Sequence, residues 1–282
     1  MRERLRKVAA DTVRIVDAGG YRLDDGRWVD LTKRVGRAVD GTVLHGPDPL
    51  AAEAPAAAAP GGTPGPARVE VTGETTLTAA RRLLAAAPGA VAVLNFASAL
   101  HPGGGFLSGA RAQEEYLCRL SALHRCLVDR DDYYGPHNAA GTSLYSDRVL
   151  HSPAVPVFRD DEYALLPEPV DVGVLTAAAP YATGLARTEP HLLPRLPEVF
   201  RSRARQVLAV AAHHGYRRLV LGAWGCGAFG NDPAVVAAAF AELLLPGGAF
   251  ARQVDEVVFA ILRQYDSESS TGDVFATALG LA

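Results

Sequence analysis

Four short, predominantly apolar runs constrain this chain more than anything else in it: VAVLNF at 91–96, VDVGVLTAA at 170–178, RRLVLGAW at 217–224 and EVVFAI at 256–261. Each is too short for a buried helix, and apolar residues fall on consecutive positions, as in a strand covered on both faces. Helical segments lie between and after them, TLTAARRLLAAA at 76–87, RSRARQVLAVAAHHG at 201–215 and DPAVVAAAFAELLL at 232–245, and ARVEVTG at 67–73 adds a strand. Such alternation predicts an α/β layered domain with helices on both sheet faces and ligands received beyond the carboxyl ends of strands.

The first 67 residues read differently. Leu5, Val8, Ala9, Thr12, Val13 and Val16 recur at helical spacing, and alternation from Tyr21 to Val29 around Asp24-Asp25-Gly26 predicts a hairpin. From Gly46 to Ala67 the chain is almost wholly Ala, Pro and Gly, a composition that cannot pack a core and is expected to form a mobile loop. The expected division is therefore an N-terminal helical extension and loop at 1–67, packed on or leading into a catalytic domain at 68–282.

Charge and cysteine content exclude several classes. A net charge of -3 argues against electrostatic capture of DNA or RNA, so no direct nucleic-acid binding is expected. Cys118, Cys126 and Cys226 form no C-x-x-C pair, so neither a zinc site nor a disulfide is predicted, and no cofactor is implied. The charged N-terminus lacks the apolar core of a secretory signal, and no apolar run is long enough to span a bilayer; a soluble, cytoplasmic protein without membrane association is expected.

Two glycine-rich loops each leave a buried strand and open a helix. NFASALHPGGGFLSGARAQEE at 95–115 carries Gly103, Gly104 and Gly105, whose consecutive amides suit an anion-binding nest. LGAWGCGAFGNDP at 221–233 places Gly225, Gly227 and Gly230 among Cys226, Ala228 and Phe229, with Asp232 and Pro233 suited to cap and start a helix. Neither loop is a P-loop or a dinucleotide fingerprint, and each alone is also what an ordinary strand-to-helix turn looks like. Glu114 and Glu115, being adjacent on a helix, project about 100° apart and cannot flank one bond as a glycosidase pair does. They need different roles: one at a glycosidic oxygen, the other orienting ribose hydroxyls, with mutual repulsion raising a carboxyl pKa. Dipole stabilisation of a solvated helix start is the alternative.

The combination Gly103-Gly104-Gly105, seven residues, then Gln113-Glu114-Glu115 resembles the signature of poly(ADP-ribose) glycohydrolases, and 68–262 is similar to the shorter, bacterial-type branch. That resemblance implies a macrodomain-like three-layer α/β/α sandwich with a mixed central sheet and an N-terminal helical extension. It implies hydrolysis of ribose-ribose O-glycosidic bonds in poly(ADP-ribose), exo-acting from chain termini, by a monomer of the DNA damage response that meets ADP-ribosylated proteins. Glu115 corresponds to the catalytic acid and Glu114 to its positioning partner. Gln113 would support the loop, Ala97, Ser98 and Gly103 to Gly105 would lie at the distal ribose and diphosphate, and Gly225, Cys226, Gly227, Ala228, Phe229 and Gly230 would wrap the diphosphate, Phe229 against the terminal ribose. Leu77 and Thr78 would lie near the adenine.

The rivals are a non-catalytic ADP-ribose-binding macrodomain module and a mono-ADP-ribosyl hydrolase. Several other residues are read as ordinary: His101 as solvent-facing, His213 and His214 as a helix end, Cys226 as a small buried residue rather than a nucleophile. Tyr133 and Tyr134 adjoin an acidic run expected to be exposed, and no role is assigned to them.

Overall fold

The computed structural model describes residues 1–50, 67–262 and 270–281, so most of the Ala/Pro/Gly segment expected at 46–67 lies outside the described residues. The chain runs α1 (Arg2–Asp17), the hairpin β1 (Gly20–Arg22) and β2 (Trp28–Asp30), α2 (Thr32–Asp40), β3 (Val43–His45), β4 (Arg68–Thr72), α3 (Thr76–Ala86) and β5 (Val91–Phe96). Three helices follow, α4 (Gln113–Leu120), α5 (Leu123–Leu127) and α6 (Asp131–Ala140), then the long strands β6 (Val149–Arg159) and β7 (Leu165–Ala177). It closes with α7 (Ala182–Thr188), α8 (Leu196–His213), β8 (Arg218–Leu221), α9 (Pro233–Leu244), β9 (Glu256–Ala260) and α10 (Thr271–Ala278).

Seven strands form one mixed sheet in the order β3-β6-β7-β5-β8-β9-β4. From β7 through to β4 every pairing is parallel, and β3, β6 and β7 pair antiparallel. Side chains alternate strictly between two cores. Ala92 and Leu94 of β5, Leu219 and Leu221 of β8, and Val257 and Phe259 of β9 face a cluster built with α8, α9 and α10. Val91, Val93, Val220 and Val258 face the opposite cluster, which includes Ala9 of α1, Ala38 of α2, Leu83 of α3 and Leu117 of α4. This period-2 alternation within apolar runs is what a doubly covered sheet demands, and it gives the macrodomain-like three-layer sandwich.

Where sequence and structure differ, the cause is tertiary. β6 carries Pro153 and Pro156, which interrupt a strand pattern; register shifts at Ser152/Val155 and Val157/Arg159 absorb them. The segment before residue 67 supplies a strand of the main sheet, because β3 pairs with β6 through Val43–His151 and Leu44–Leu150. Gln206 of α8 ties down the start of the Ala/Pro/Gly segment, accepting from Leu50 N and donating to the carbonyls of Gly46 and Asp48. The acidic residues Asp131 and Asp132 are exposed, as expected, while Tyr133 and Tyr134 lie on the inner face of α6, buried, with rings 4.9 Å apart. α8 ends at His213 as expected, but the next imidazole, His214, stacks on His151 at 3.6 Å.

Candidate active site

β5 and β8 are adjacent and parallel, so the loops that follow them leave the same end of the sheet side by side. β7 flanks β5 on the other side, in parallel, and its end at Ala177 accepts from the indole N–H of the buried Trp224, fixing the second loop against it. A cavity of about 470 Å³ opens there. Ala97, Gln113, Gly225, Cys226, Gly227, Ala228 and Phe229 line it, as do Thr75, Thr76, Arg111, Tyr116 and Leu262. That size and a largely apolar lining match a pocket for one small organic ligand.

The first loop is bound up with the acidic pair. Both carboxylates are buried, Glu114 at 2% and Glu115 at 7% exposure, so they are not the solvated acids of an ordinary helix start. Glu114 accepts from Ser98 N (2.7 Å) and from Asn95 Nδ2 (3.2 Å), and Asn95 Nδ2 also reaches Thr176 Oγ1. Burial pushes the Glu114 carboxyl up to about 8, with the neighbouring Glu115 charge adding to the shift and the Ser98 and Asn95 bonds opposing it. Glu115 Oε1 accepts from Gly105 N at 2.8 Å, and its Oε2 is buried with no hydrogen-bond partner among the described residues. A buried, unsatisfied carboxyl oxygen costs about 1–3 kcal/mol or more. Such a group is stable in isolation only where the surroundings hold it for another purpose.

Gly104 explains why the triplet is glycine. Its φ of +57 is left-handed, and a Cβ there would stand 2.5 Å from Glu115 Oε1 and 3.0 Å from Glu114 Oε2. Gln113 then locks the loop's entry to the sheet, accepting from Phe96 N and donating to Leu94 O and Thr76 Oγ1.

The second loop keeps its amides free. Among the described residues, Gly225, Gly227, Ala228 and Phe229 have no acceptor for their N–H groups, whereas Trp224, Cys226, Gly230 and Asn231 donate within the loop. Asn231 Nδ2 closes it by donating to Gly225 O (3.0 Å) and Pro180 O (2.8 Å). Asp232 caps α9 by accepting from Ala234 N, as its position predicts. Gly230 sits at φ +70 against Thr183 and reaches the cavity lining only through its neighbour Phe229. Burial pushes the Cys226 thiol up to about 12, which suits a small wall residue and not a nucleophile.

Not every expected residue meets the cavity. Ser98, Gly103, Gly104, Gly105, Glu114 and Glu115 are absent from its lining, next in the chain to the lining residues Ala97 and Gln113 or bound to their loop. The Leu77 side chain points into the core at 2% exposure, and the Thr78 hydroxyl donates to Asp161. Thr75 and Thr76, just before them, are the residues that line the cavity, and Tyr116, also donating to Asp161, stands beside them. Glu74 lies at the same end but is neutralised by Arg82, whose guanidinium holds its carboxyl below the usual range. Arg111, by contrast, lines the cavity with no ion pair or hydrogen bond among the described residues. Sequence reading missed Asn95, Thr176, Trp224, Asn231 and Arg111; the Asn in an apolar strand was the one visible signal, because a buried polar residue there needs partners. His101 is exposed, as expected. Among the described residues no cluster of His, Cys, Asp and Glu is arranged to hold a metal, and no helix is long and apolar enough to cross a membrane.

An acid pair packed under a glycine turn at the carboxyl end of the parallel strands of a macrodomain-like sheet defines a glycosidase-type site beside a small-ligand pocket. Residues 9–160 match the family described as microbial-type PARG, catalytic domain, and the chain belongs to that family. The poly(ADP-ribose) glycohydrolase from Thermomonospora curvata bound to the inhibitor ADP-HPD is 48% identical, with 98% of this chain and 99% of that one covered and a TM-score of 0.89. An E115A mutant from the same organism is 47% identical over 98% of this chain and 100% of its own, again with a TM-score of 0.89. The Deinococcus radiodurans poly(ADP-ribose) glycohydrolase in complex with ADP-ribose is 44% identical over 87% of this chain and 96% of that one, with a TM-score of 0.78. A search of curated proteins found no match.

Proposed function

We propose that this chain hydrolyses the ribose-ribose O-glycosidic bond of poly(ADP-ribose) and releases ADP-ribose, working from chain termini, with Glu115 as the residue that gives and takes the proton. The observation that carries this is the Glu115 carboxyl itself: one oxygen anchored to a backbone amide, the other buried and unpartnered, beneath a turn where only glycine fits. In the proposed reaction the free amides of Gly225, Gly227, Ala228 and Phe229 receive the diphosphate, and Arg111 adds a cation at the cavity wall. Glu115 protonates the departing ribose oxygen; charge developing at the anomeric carbon is stabilised by the bound phosphates; Glu115, now ionised, takes a proton from the attacking water. Glu114, occupied by Ser98 and Asn95, keeps Ala97 and Ser98 in place at the distal ribose. Thr75 and Thr76, with Leu77 and Thr78 behind them, are assigned to the adenine end.

A cavity sized for one unit supports removal of terminal ADP-ribose, by a cytoplasmic monomer acting on ADP-ribosylated proteins in the DNA damage response. The 1–67 segment serves as a buttress and the 68–282 segment as the catalytic domain in this reading. Incubation with purified polymer and, separately, with mono-ADP-ribosylated protein tests it by product identity. Free ADP-ribose from polymer at the earliest times is expected. Binding without release would leave a non-catalytic module, and release from the mono-modified protein alone would leave a mono-ADP-ribosyl hydrolase.

A further inference from the structure

The proposed acid sits in a closed ring of contacts whose last member has no part in the reaction just described. Glu115 Oε1 accepts from Gly105 N (2.8 Å); Gly105 O accepts from Ala110 N (3.1 Å); Ala110 O accepts from Arg119 Nη1 (2.7 Å); and Arg119 lies one helical turn after Glu115 on α4, returning the ring to its start. Arg119 is 2% exposed. Among the described residues it has no carboxylate partner, and its Nε is buried without an acceptor. A guanidinium taken out of water without an ion pair is costly, and stability alone gives no reason to keep one. Its backbone is fixed from the far side as well, since the Thr12 hydroxyl of α1 donates to Arg119 O at 2.8 Å and in turn accepts from Arg159 Nε.

Resting on the functional reading above, we propose that Arg119 is a positioning residue for Glu115: it holds the Ala110 carbonyl so that the turn from Gly103 to Ala110 stays folded over the acid with the Gly105 amide on Oε1. Burial pushes the Cys118 thiol well above its ordinary range, with Glu114 and Glu115 adding to the shift and Arg119 opposing it, so the cation shares the acid pair's own surroundings. A planar guanidinium reaches a carbonyl from a fixed direction; a lysine ammonium supplies the charge but not that geometry.

Arg119→Met and Arg119→Lys in the full chain test this, with Thr12→Val as the control that loosens α1 from α4 without opening the ring. Hydrogen exchange of the 103–112 segment is expected to quicken about tenfold in R119M, as for loss of one strong hydrogen bond, while the 225–230 turn exchanges as in wild type. On polymer, kcat of R119M falls about tenfold or more with KM within about twofold, R119K recovers part of that loss, and T12V lowers the melting temperature but keeps kcat. If R119M does not fold, R119K carries the test, with intermediate exchange at 103–112 and a kcat loss of about threefold. Wild-type exchange at 103–112, or wild-type kcat, in the folded variant overturns the assignment. Should the wild-type chain release nothing from polymer, the functional reading falls, and the exchange experiment still decides whether Arg119 holds the turn.

Discussion

The two glycine-rich turns begin alike, each leaving the end of a parallel strand and entering a helix, yet they dispose of their backbone amides in opposite ways. After β5 the amides of Ser98 and Gly105 are consumed by Glu114 and Glu115, so that turn is a clamp on two carboxyls. After β8 the amides of Gly227, Ala228 and Phe229 are left without acceptors among the described residues and line the cavity, so that turn keeps its donors open, and in the proposed reaction it is the receptor. Glycine serves a different need in each. Gly104 is required because a Cβ there would stand 2.5 Å from a carboxyl oxygen, whereas a Cβ at Gly227 would meet nothing within 4 Å. The contrast teaches that glycine content alone does not define a phosphate loop; what matters is which acceptors the fold has already supplied.

This contrast can be broken by mutation. The largest effect is expected from Glu115→Gln: turnover on polymer should fall by about 10² to 10⁴, the range for a single acid/base group, while calorimetric ADP-ribose affinity stays near wild type. Wild-type turnover in E115Q would remove the acid from the clamp. Gly104→Ala comes next, because it combines about 1–2 kcal/mol of left-handed strain with a collision against Glu115. Both melting temperature and kcat should drop, and a variant with unchanged kcat would show that the contact is unimportant. Gly227→Val should do the reverse, leaving the melting temperature within about 2 °C and weakening ADP-ribose binding about tenfold by crowding the open amides. Equal affinity for the two proteins would mean that the β8 turn is not the receptor.

The pH dependence of stability separates Glu114 from its surroundings. Its folded-state pKa is raised from 4.5 to about 8, so the native state holds a proton that the unfolded chain has already lost across that window. The stability contributed is fully present below 4.5 and is lost as pH rises toward 8, at up to about 1 kcal/mol per pH unit. Denaturant titrations of wild type and Glu114→Gln at several pH values should therefore converge at low pH and diverge in favour of E114Q as pH rises. Parallel curves would show that Glu114 is not buried as a neutral acid.

Much of this was legible from residues alone. The central sheet could be read because its strands are apolar on both faces, and the two turns because glycine-rich loops follow the strands ending at Phe96 and Leu221. The acid pair was visible as a spacing, but its burial was not: nothing local distinguishes Glu114 and Glu115 from a solvated helix start, since their partners Ser98, Asn95 and Gly105 come from a different element. Leu77 illustrates the converse, a residue two positions away from the cavity-lining Thr75 whose side chain helical geometry turns into the core. The burial of Tyr133 and Tyr134 was not legible, because Asp131 and Asp132 beside them are exposed and a helix separates such neighbours by facing them differently. β6 stayed hidden because prolines mask its pattern, and β3 because three residues carry too little periodicity to register.

The direct hydrogen bonding of β5 to β8 has one more consequence. Neighbouring strands in any sheet are held about 4.8 Å apart by their ladder. The two turns are thus launched from a spacing ruled by peptide geometry, which side-chain repacking elsewhere can scarcely alter. Homologous turns could be exchanged between relatives as cassettes, each arriving at the same spacing because both are mounted on the same rail.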